Sequence, residues 1–198
     1  MFYRQNYFIR EHVGLFKWAN TYDILDPDTQ KQIGIAVERP GWFIHLLRFV
    51  VDASLLPTTI HVYIGKNPEA EGRLLFSMEK NFAVFSKRVS IRDPKGQLVG
   101  WFQSKVFTIG GAFDVFHASG EKVFTVKGNW IGWEFQFLDT DGDRLGTISK
   151  KWGGMAKEFF TTADNYAISI DEEPPPELAL LFLAAGLAID TVYKERKG

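Results

Sequence analysis

Apolar and polar residues alternate along most of the chain, in short runs that polar turns join in pairs. The four clearest pairs begin at Thr21, Ser90, Phe113 and Phe135. Their turns contain Asp-Pro, Ser-Gly or Asp-Gly, and Asp and Gly tolerate the backbone angles of tight turns. Alternation with period two on both sides of such a turn predicts a β-hairpin. A fifth hairpin, with a longer loop, is predicted from IHVYIG and RLLFSMEK.

Ten or more strands joined in sequence predict one antiparallel meander. A meander of this length can close into a barrel, and closure removes the exposed edges of the sheet. The length of 198 residues favours a single domain, which we assign to residues 1–198. The 18 Phe residues and an aromatic content of 15% favour a large core.

Residues 42–51, WFIHLLRFVV, depart from the alternation. Their polar members, His45 and Arg48, are three residues apart. This spacing favours a short helix or a connecting segment over a strand.

The C-terminal part of the chain carries the start and stop signals of a helix. Three prolines at 174–176 precede Glu177, which lies at the positive end of the helix dipole. Lys194, Arg196 and Lys197 lie near the negative end. We therefore expect a C-terminal helix.

That helix is apolar around its whole circumference over residues 178–193, so protein or lipid must surround it. At about 1.5 Å per residue it reaches roughly 24 Å, which is shorter than the roughly 30 Å hydrocarbon layer of a bilayer. Asp190 would also lie inside that layer. We expect a helix buried in the core, in preference to a membrane span or a surface anchor.

Net charge and cysteine content limit the partners and the cellular compartment that we expect. The net charge of -1 gives no general electrostatic attraction to nucleic acid, so we expect no nucleic-acid partner. The chain contains no Cys, which fits a reducing compartment, and its first residues lack the apolar stretch of a secretory signal. These features predict a cytoplasmic protein.

Signatures of catalysis and of metal binding are sparse in the sequence. We find no nucleophile elbow, no phosphate-binding loop and no dinucleotide-binding loop, and the four His residues are scattered singly. DTDGDR at 139–144 starts like an EF-hand loop, but Arg144 and Lys150 replace its required Gly and Glu. We expect a hairpin turn there, and no enzymatic activity in the protein.

A basic group beside an aromatic residue is the strongest functional candidate. Lys150, Lys151 and Lys157 lie close in sequence to Trp152. Lys and Trp together suit an interface at which anionic headgroups meet acyl chains. These four residues are the predicted lipid-binding site. The alternative is a solvated strand end with Trp152 folded into the core.

The same region carries a resemblance to a known family. The segment GTISKKWGGMAKEFFTTADNYAISI, residues 146–170, resembles a phrase of the phospholipid scramblase and LURP-one-related group. The matching residues are Gly146, Ile148, Lys150, Trp152, Glu158, Phe160, Thr161, Ala163, Asp164, Asn165 and Tyr166. The resemblance implies the Tubby C-terminal-like fold, which is a mainly β, closed antiparallel barrel of about twelve strands around a buried hydrophobic C-terminal helix.

The resemblance also implies a calcium-binding stretch after the Phe-Thr pair. Here the first acidic ligand is replaced by Thr162, and the remaining candidates are Asp164, Asn165 and Glu173. Calcium takes six to eight oxygen ligands, so a loop that lacks a carboxylate binds it weakly or not at all. The alternative is that Asp164 and Asn165 form a turn that leads into a strand.

By family, phospholipid scrambling is implied, but the chain lacks the Cys cluster that receives acyl chains in animal scramblases. We therefore expect peripheral binding to phospholipid headgroups at a membrane surface, without catalysis. The alternative is a scaffold or sensor module of the LURP-one-related type, which binds a protein partner or a small ligand.

Overall fold

The structure is a computed structural model that describes residues 3–12, 20–39, 57–66, 73–80, 88–104, 112–129, 132–150 and 165–189. The short helix or connecting segment expected at 42–51 lies outside these ranges. The last residues of the expected C-terminal helix, from Asp190 onward, also lie outside them.

Twelve antiparallel strands form one closed barrel, as predicted. Each strand pairs with its neighbours in sequence, and the first strand pairs with the last to close the sheet. The strands are β1 (Asn6–Glu11), β2 (Thr21–Leu25), β3 (Gln32–Glu38), β4 (Thr58–Ile64), β5 (Arg73–Lys80), β6 (Arg88–Arg92), β7 (Leu98–Ser104), β8 (Ala112–His117), β9 (Lys122–Asn129), β10 (Glu134–Leu138), β11 (Arg144–Ser149) and β12 (Tyr166–Ile170).

The five predicted hairpins are β2–β3, β4–β5, β6–β7, β8–β9 and β10–β11, and their turns all lie at one end of the barrel. We call this the turn end. At the opposite end, which we call the loop end, the odd-numbered strands finish and the even-numbered strands begin. The chain enters β12 at the loop end and leaves it at the turn end.

Each of the five hairpins has a register shift on the side of its turn, whereas the other seven strand pairs are regular. The described part of each of these connections also contains one residue with positive φ, namely Gln30, Gly65, Gly96, Gly120 or Gly142. A bulge bends a strand and increases its twist. The bulges therefore curve the strands at the turn end, where the barrel must close.

Asp139 organises the turn of β10–β11 through its side chain. The carboxylate of Asp139 accepts the backbone N–H groups of Asp141, Gly142 and Asp143 at 2.8 to 2.9 Å. Its Oδ1 is therefore occupied by the turn itself. The hairpin turn predicted in place of an EF-hand loop is confirmed.

A helix near the C-terminal end of the described chain, α1 (Pro176–Ala188), enters the barrel from the turn end. Its first turn carries Glu177, whose carboxylate lies 3.6 Å from His117 Nε2 in the β8–β9 hairpin. From Ala179 to Ala188 every residue is buried. Among the described residues, no helix is both long enough and apolar enough to cross a membrane.

Strands on both sides of the barrel contact the helix, chiefly β12 and β7. The ring of Phe182 stacks on Phe124 at 4.5 Å and meets Phe137 edge-on at 4.8 Å. The helix therefore fills the barrel, as its uniform apolarity predicted.

Glycine is required where the helix approaches β12 most closely. A Cβ on Gly186 would lie 2.2 Å from Cδ1 and 2.8 Å from Cγ1 of Ile168. Real carbon atoms do not come this close without repulsion. The absence of a side chain at Gly186 thus sets the distance between the helix and the barrel wall.

Replacing Leu183 with Asp should lower the free energy of unfolding by several kcal/mol, because Leu183 is fully buried and an unpaired carboxylate there loses its hydration. Urea unfolding followed by circular dichroism measures the loss. Leu183→Met is the control, and its similar volume should limit the cost to about 1.5 kcal/mol or less. An unchanged urea midpoint for Leu183→Asp would show that the helix is not enclosed.

Replacing Gly186 with Ala should destabilise the fold by about 1–3 kcal/mol through overpacking, although Ala is the better helix former. Ile168→Val removes the nearest clashing atom, Cδ1. In a double-mutant cycle, the pair should therefore cost clearly less than the sum of the two single changes. Strict additivity would contradict the close contact.

Candidate functional site

Lys150 is the member of the predicted lipid-binding site that the structure describes. It follows the last residue of β11 at the loop end. Its backbone N–H donates to the carbonyl of Trp133 at 3.4 Å, and its ammonium lies 4.5 Å from the centre of the Trp133 ring. A cation at this distance is attracted to the face of an indole ring. The two side chains thus form a cation–π pair at the loop end.

Trp133 holds a backbone conformation that is unusual for a bulky residue. It precedes β10 and has a φ of 49°. Its ring packs against Tyr166 at 4.9 Å and meets Phe135 edge-on at 5.8 Å. The left-handed region is disfavoured for residues with large side chains, so the packing of the ring must offset that cost. The indole that faces Lys150 is therefore fixed by the core.

Sequence reasoning missed Trp133. The sequence feature that could have identified it is a Trp beside a predicted hairpin, one residue before β10. Its nearness to Lys150 depends on the pairing of β10 with β11. The other predicted members of the site, Lys151, Trp152 and Lys157, lie outside the described residues. Their part in lipid binding stays a prediction.

The structure separates two of the predicted calcium ligands. Asn165 is buried directly before β12, whereas Glu173 is exposed after that strand. Five residues of strand span roughly 17 Å, and calcium ligands lie within about 2.6 Å of the ion. The strand thus separates Asn165 from the segment that carries Glu173, and calcium binding by these two residues stays a prediction. The third candidate, Asp164, lies outside the described residues.

No cluster of three or more His, Asp or Glu side chains within the described ranges is arranged to hold a metal ion. A calcium site that includes Asp164 stays a prediction.

A second cation–aromatic group lies on the outer wall of the barrel. The guanidinium of Arg88, the first residue of β6, lies 4.4 Å from the centre of the Trp101 ring. Trp101 stacks in turn on Phe116 at 5.3 Å. Because Phe102 points into the core, alternation along β7 places Trp101 on the outside.

Two buried acids brace neighbouring strands, Asp23 in the middle of β2 and Glu38 at the loop end of β3. Asp23 accepts hydrogen bonds from Arg10 at 2.7 Å and from Gln32 at 3.0 Å, and its other contact is His12 at 2.8 Å. Glu38 accepts a hydrogen bond from the hydroxyl group of Thr58 at 2.7 Å. These carboxylates are occupied by neighbouring side chains, so we assign them a structural role.

A family model described as Scramblase matches residues 69–196, which is more than half of the chain. The chain belongs to the scramblase family. Searches of curated proteins and of solved structures found no match.

The residues that match the Scramblase family model form most of the barrel but not all of it. It covers β5 to β12 and α1, together with Lys150 and Trp133. The strands β1 to β4 precede it, yet they pair with both edges of the matched part and complete the barrel. The resemblance drawn from residues 146–170 is confirmed, and the closed barrel is consistent with the Tubby-like fold.

The turn end of this scramblase-family domain carries an acidic surface where the β10–β11 turn meets the start of the helix. The exposed acids there are Asp141, Asp143, Asp171, Glu172, Glu173 and Glu177, and the half-buried Asp139 lies beside them. Arg144 offsets one of these charges by pairing with Asp171 at 2.9 Å. This surface would be repelled by an anionic membrane.

Asp26, in the β2–β3 turn, is kept ionised by its surroundings. Burial opposes the charge, but the backbone N–H groups of Thr29 and Asp28 and the guanidinium of Arg4 outweigh burial and lower the pKa of this carboxyl. Because the folded-state pKa is depressed, Asp26 stabilises the fold above its unfolded-state pKa, about 3.9. That contribution is lost as the pH falls through the folded-state value.

We expect Asp26→Asn to lower the free energy of unfolding at neutral pH and to make its decline below about pH 4 shallower. The amide oxygen can still accept the turn hydrogen bonds, so the change isolates the charge. Urea unfolding across the acid range measures both effects. Asp28→Asn alters the net charge equally at an exposed position. Identical profiles for the two variants would contradict this role of Asp26.

Proposed function

We propose that this scramblase-family domain binds the surface of anionic phospholipid membranes peripherally, through its loop end. The observation that carries the proposal is the Lys150 ammonium on the Trp133 ring, within the part of the chain that matches the family model. The family membership supports a lipid-related role, and the pair supplies the two chemical groups that a membrane interface favours.

The two groups interact with the membrane surface in different ways, the ammonium by charge and the indole by its amphipathic ring. A Lys near an anionic surface contributes about 1 kcal/mol of attraction, and indole rings favour the headgroup region. Trp133 is partly exposed and its ring is already held by Tyr166 and Phe135, so little side-chain entropy would be lost on binding.

One such pair gives only weak attachment, because stable anchoring takes two or more signals. Lys151, Trp152 and Lys157 directly follow Lys150 or lie close to it in sequence. In the proposal they add further charge and a second indole to the same end of the barrel.

The charge distribution orients the domain. The acidic surface at the start of the helix lies at the turn end, opposite Lys150. Electrostatic attraction and repulsion would therefore both turn the loop end toward an anionic membrane.

The proposed activity is binding and not transport of lipid through the barrel. Leu181, Leu183 and Phe182 of the helix fill the interior and are buried there. A lipid could pass through the barrel only if the helix left it.

A second candidate function is sensing of a small ligand. A pocket of about 520 Å³ at the turn end, remote from Lys150, favours it.

Flotation with vesicles tests membrane binding. The protein should float with vesicles that contain anionic phospholipid, more at low salt than at high salt, and should not float with neutral vesicles. Lys150→Gln should weaken binding about fivefold, since about 1 kcal/mol of attraction is lost. The matched control, Lys95→Gln, removes an exposed charge at the turn end and should leave binding unchanged.

Absence of flotation at low salt, with and without calcium, would refute the proposal. Equal losses for Lys150→Gln and Lys95→Gln would show that the loop end is not the binding surface.

A further inference from the structure

A pocket of about 520 Å³ opens at the turn end, between the residues that precede β1 and the hairpin β4–β5. This volume lies within the roughly 300–1,000 Å³ that sites for small molecules occupy. The lining residues are Tyr3, Arg4, Ile33, Ile64, Gly65, Arg73 and Leu75.

The pocket combines an apolar wall with two permanent positive charges. Ile33, Ile64 and Leu75 supply the apolar wall. Arg4 and Arg73 supply the charges, and a guanidinium group stays protonated at any physiological pH. A site with few polar groups on an apolar lining is typical of ligand pockets.

One of the two arginines keeps unused donors. Arg4 gives one Nη1 hydrogen bond to Asp26, but its buried Nε has no acceptor in the described part of the chain. The Arg4 side chain as a whole is 36% exposed, so the guanidinium can still donate to an anion in the pocket.

Arg73, the first residue of β5, is exposed and forms no ion pair within the described ranges. Asp26 balances the charge of Arg4, so the charge of Arg73 is available to an anion.

We propose that this pocket binds a single anionic amphiphile, an alkyl chain that ends in a carboxylate or a phosphate. The chain would lie on Ile33, Ile64 and Leu75, and the anionic group would accept hydrogen bonds from Arg4 and Arg73. The planar fork of a guanidinium suits the oxygens of both anions.

The pocket is separate from the proposed membrane-binding surface. It lies at the turn end, and most of its lining precedes residue 69, where the family match begins. The inference therefore does not rest on the proposed membrane binding.

Titration of the full-length protein with decanoate and with decyl phosphate, each below its aggregation concentration, tests the inference. Calorimetry should show saturable binding, and methyl NMR signals of Ile33 and Ile64 should shift while those of the core residue Ile91 stay. Arg73→Gln should weaken binding about tenfold through loss of a charge-assisted hydrogen bond. Lys95→Gln, the same charge change in an exposed turn at the same end, should not.

Four ligands of related chemistry complete the test. Acetate should bind far more weakly than decanoate, and inorganic phosphate far more weakly than decyl phosphate, because the two small anions lack the alkyl chain. Decanol and decyltrimethylammonium should bind weakly, because they lack the anion. Binding of decyltrimethylammonium as tight as that of decanoate would overturn the inference, and so would equal binding by Arg73→Gln and Lys95→Gln. Binding of inorganic phosphate as tight as that of decyl phosphate would overturn the assignment of the apolar wall.

Lys150→Gln should keep decanoate binding, and Arg73→Gln should keep flotation with vesicles. Failure of decanoate binding alone would refute this inference only, whereas failure of flotation alone would refute the membrane proposal only.

Discussion

A helix that is apolar on every side cannot face water, and the rest of this structure depends on that constraint. Ten consecutive residues of α1, Ala179 to Ala188, are buried. No single sheet face could cover them, because a flat sheet contacts only one side of a helix. A closed sheet covers all sides, and closure also pairs β1 with β12 so that no edge remains. The helix therefore needs a closed barrel to cover all its sides, and the barrel needs the helix to fill its interior.

The same arrangement separates the two ends of the molecule. Five bulged hairpins and the start of the helix form the turn end, while the longer connections begin and end at the loop end. The acidic surface and the arginine pocket lie at the first, and the Lys150–Trp133 pair lies at the second. Functional groups on opposite ends of a rigid barrel can act independently, so a ligand in the pocket need not compete with a membrane at the loop end.

Local sequence patterns predicted most of the fold because hairpins are local. Asp-Pro, Ser-Gly and Asp-Gly turns mark the strand pairs, and uniform apolarity marks the helix as buried. The site was harder to predict because it depends on contacts between strands. Trp133 meets Lys150 only through the pairing of β10 with β11. Arg4 and Arg73 line one pocket only because the intervening strands curve. The predicted calcium ligands Asn165 and Glu173 lie on either side of β12, and their binding of calcium stays a prediction.

Native-state hydrogen exchange of the helix amides, in the free protein and in the protein bound to anionic vesicles, tests the central claim most directly. The account predicts that the amides of Leu181 to Leu187 exchange only by global unfolding, and that vesicles leave this protection unchanged because the helix stays inside the barrel. Loss of protection in the free protein, or on binding to vesicles, would contradict it.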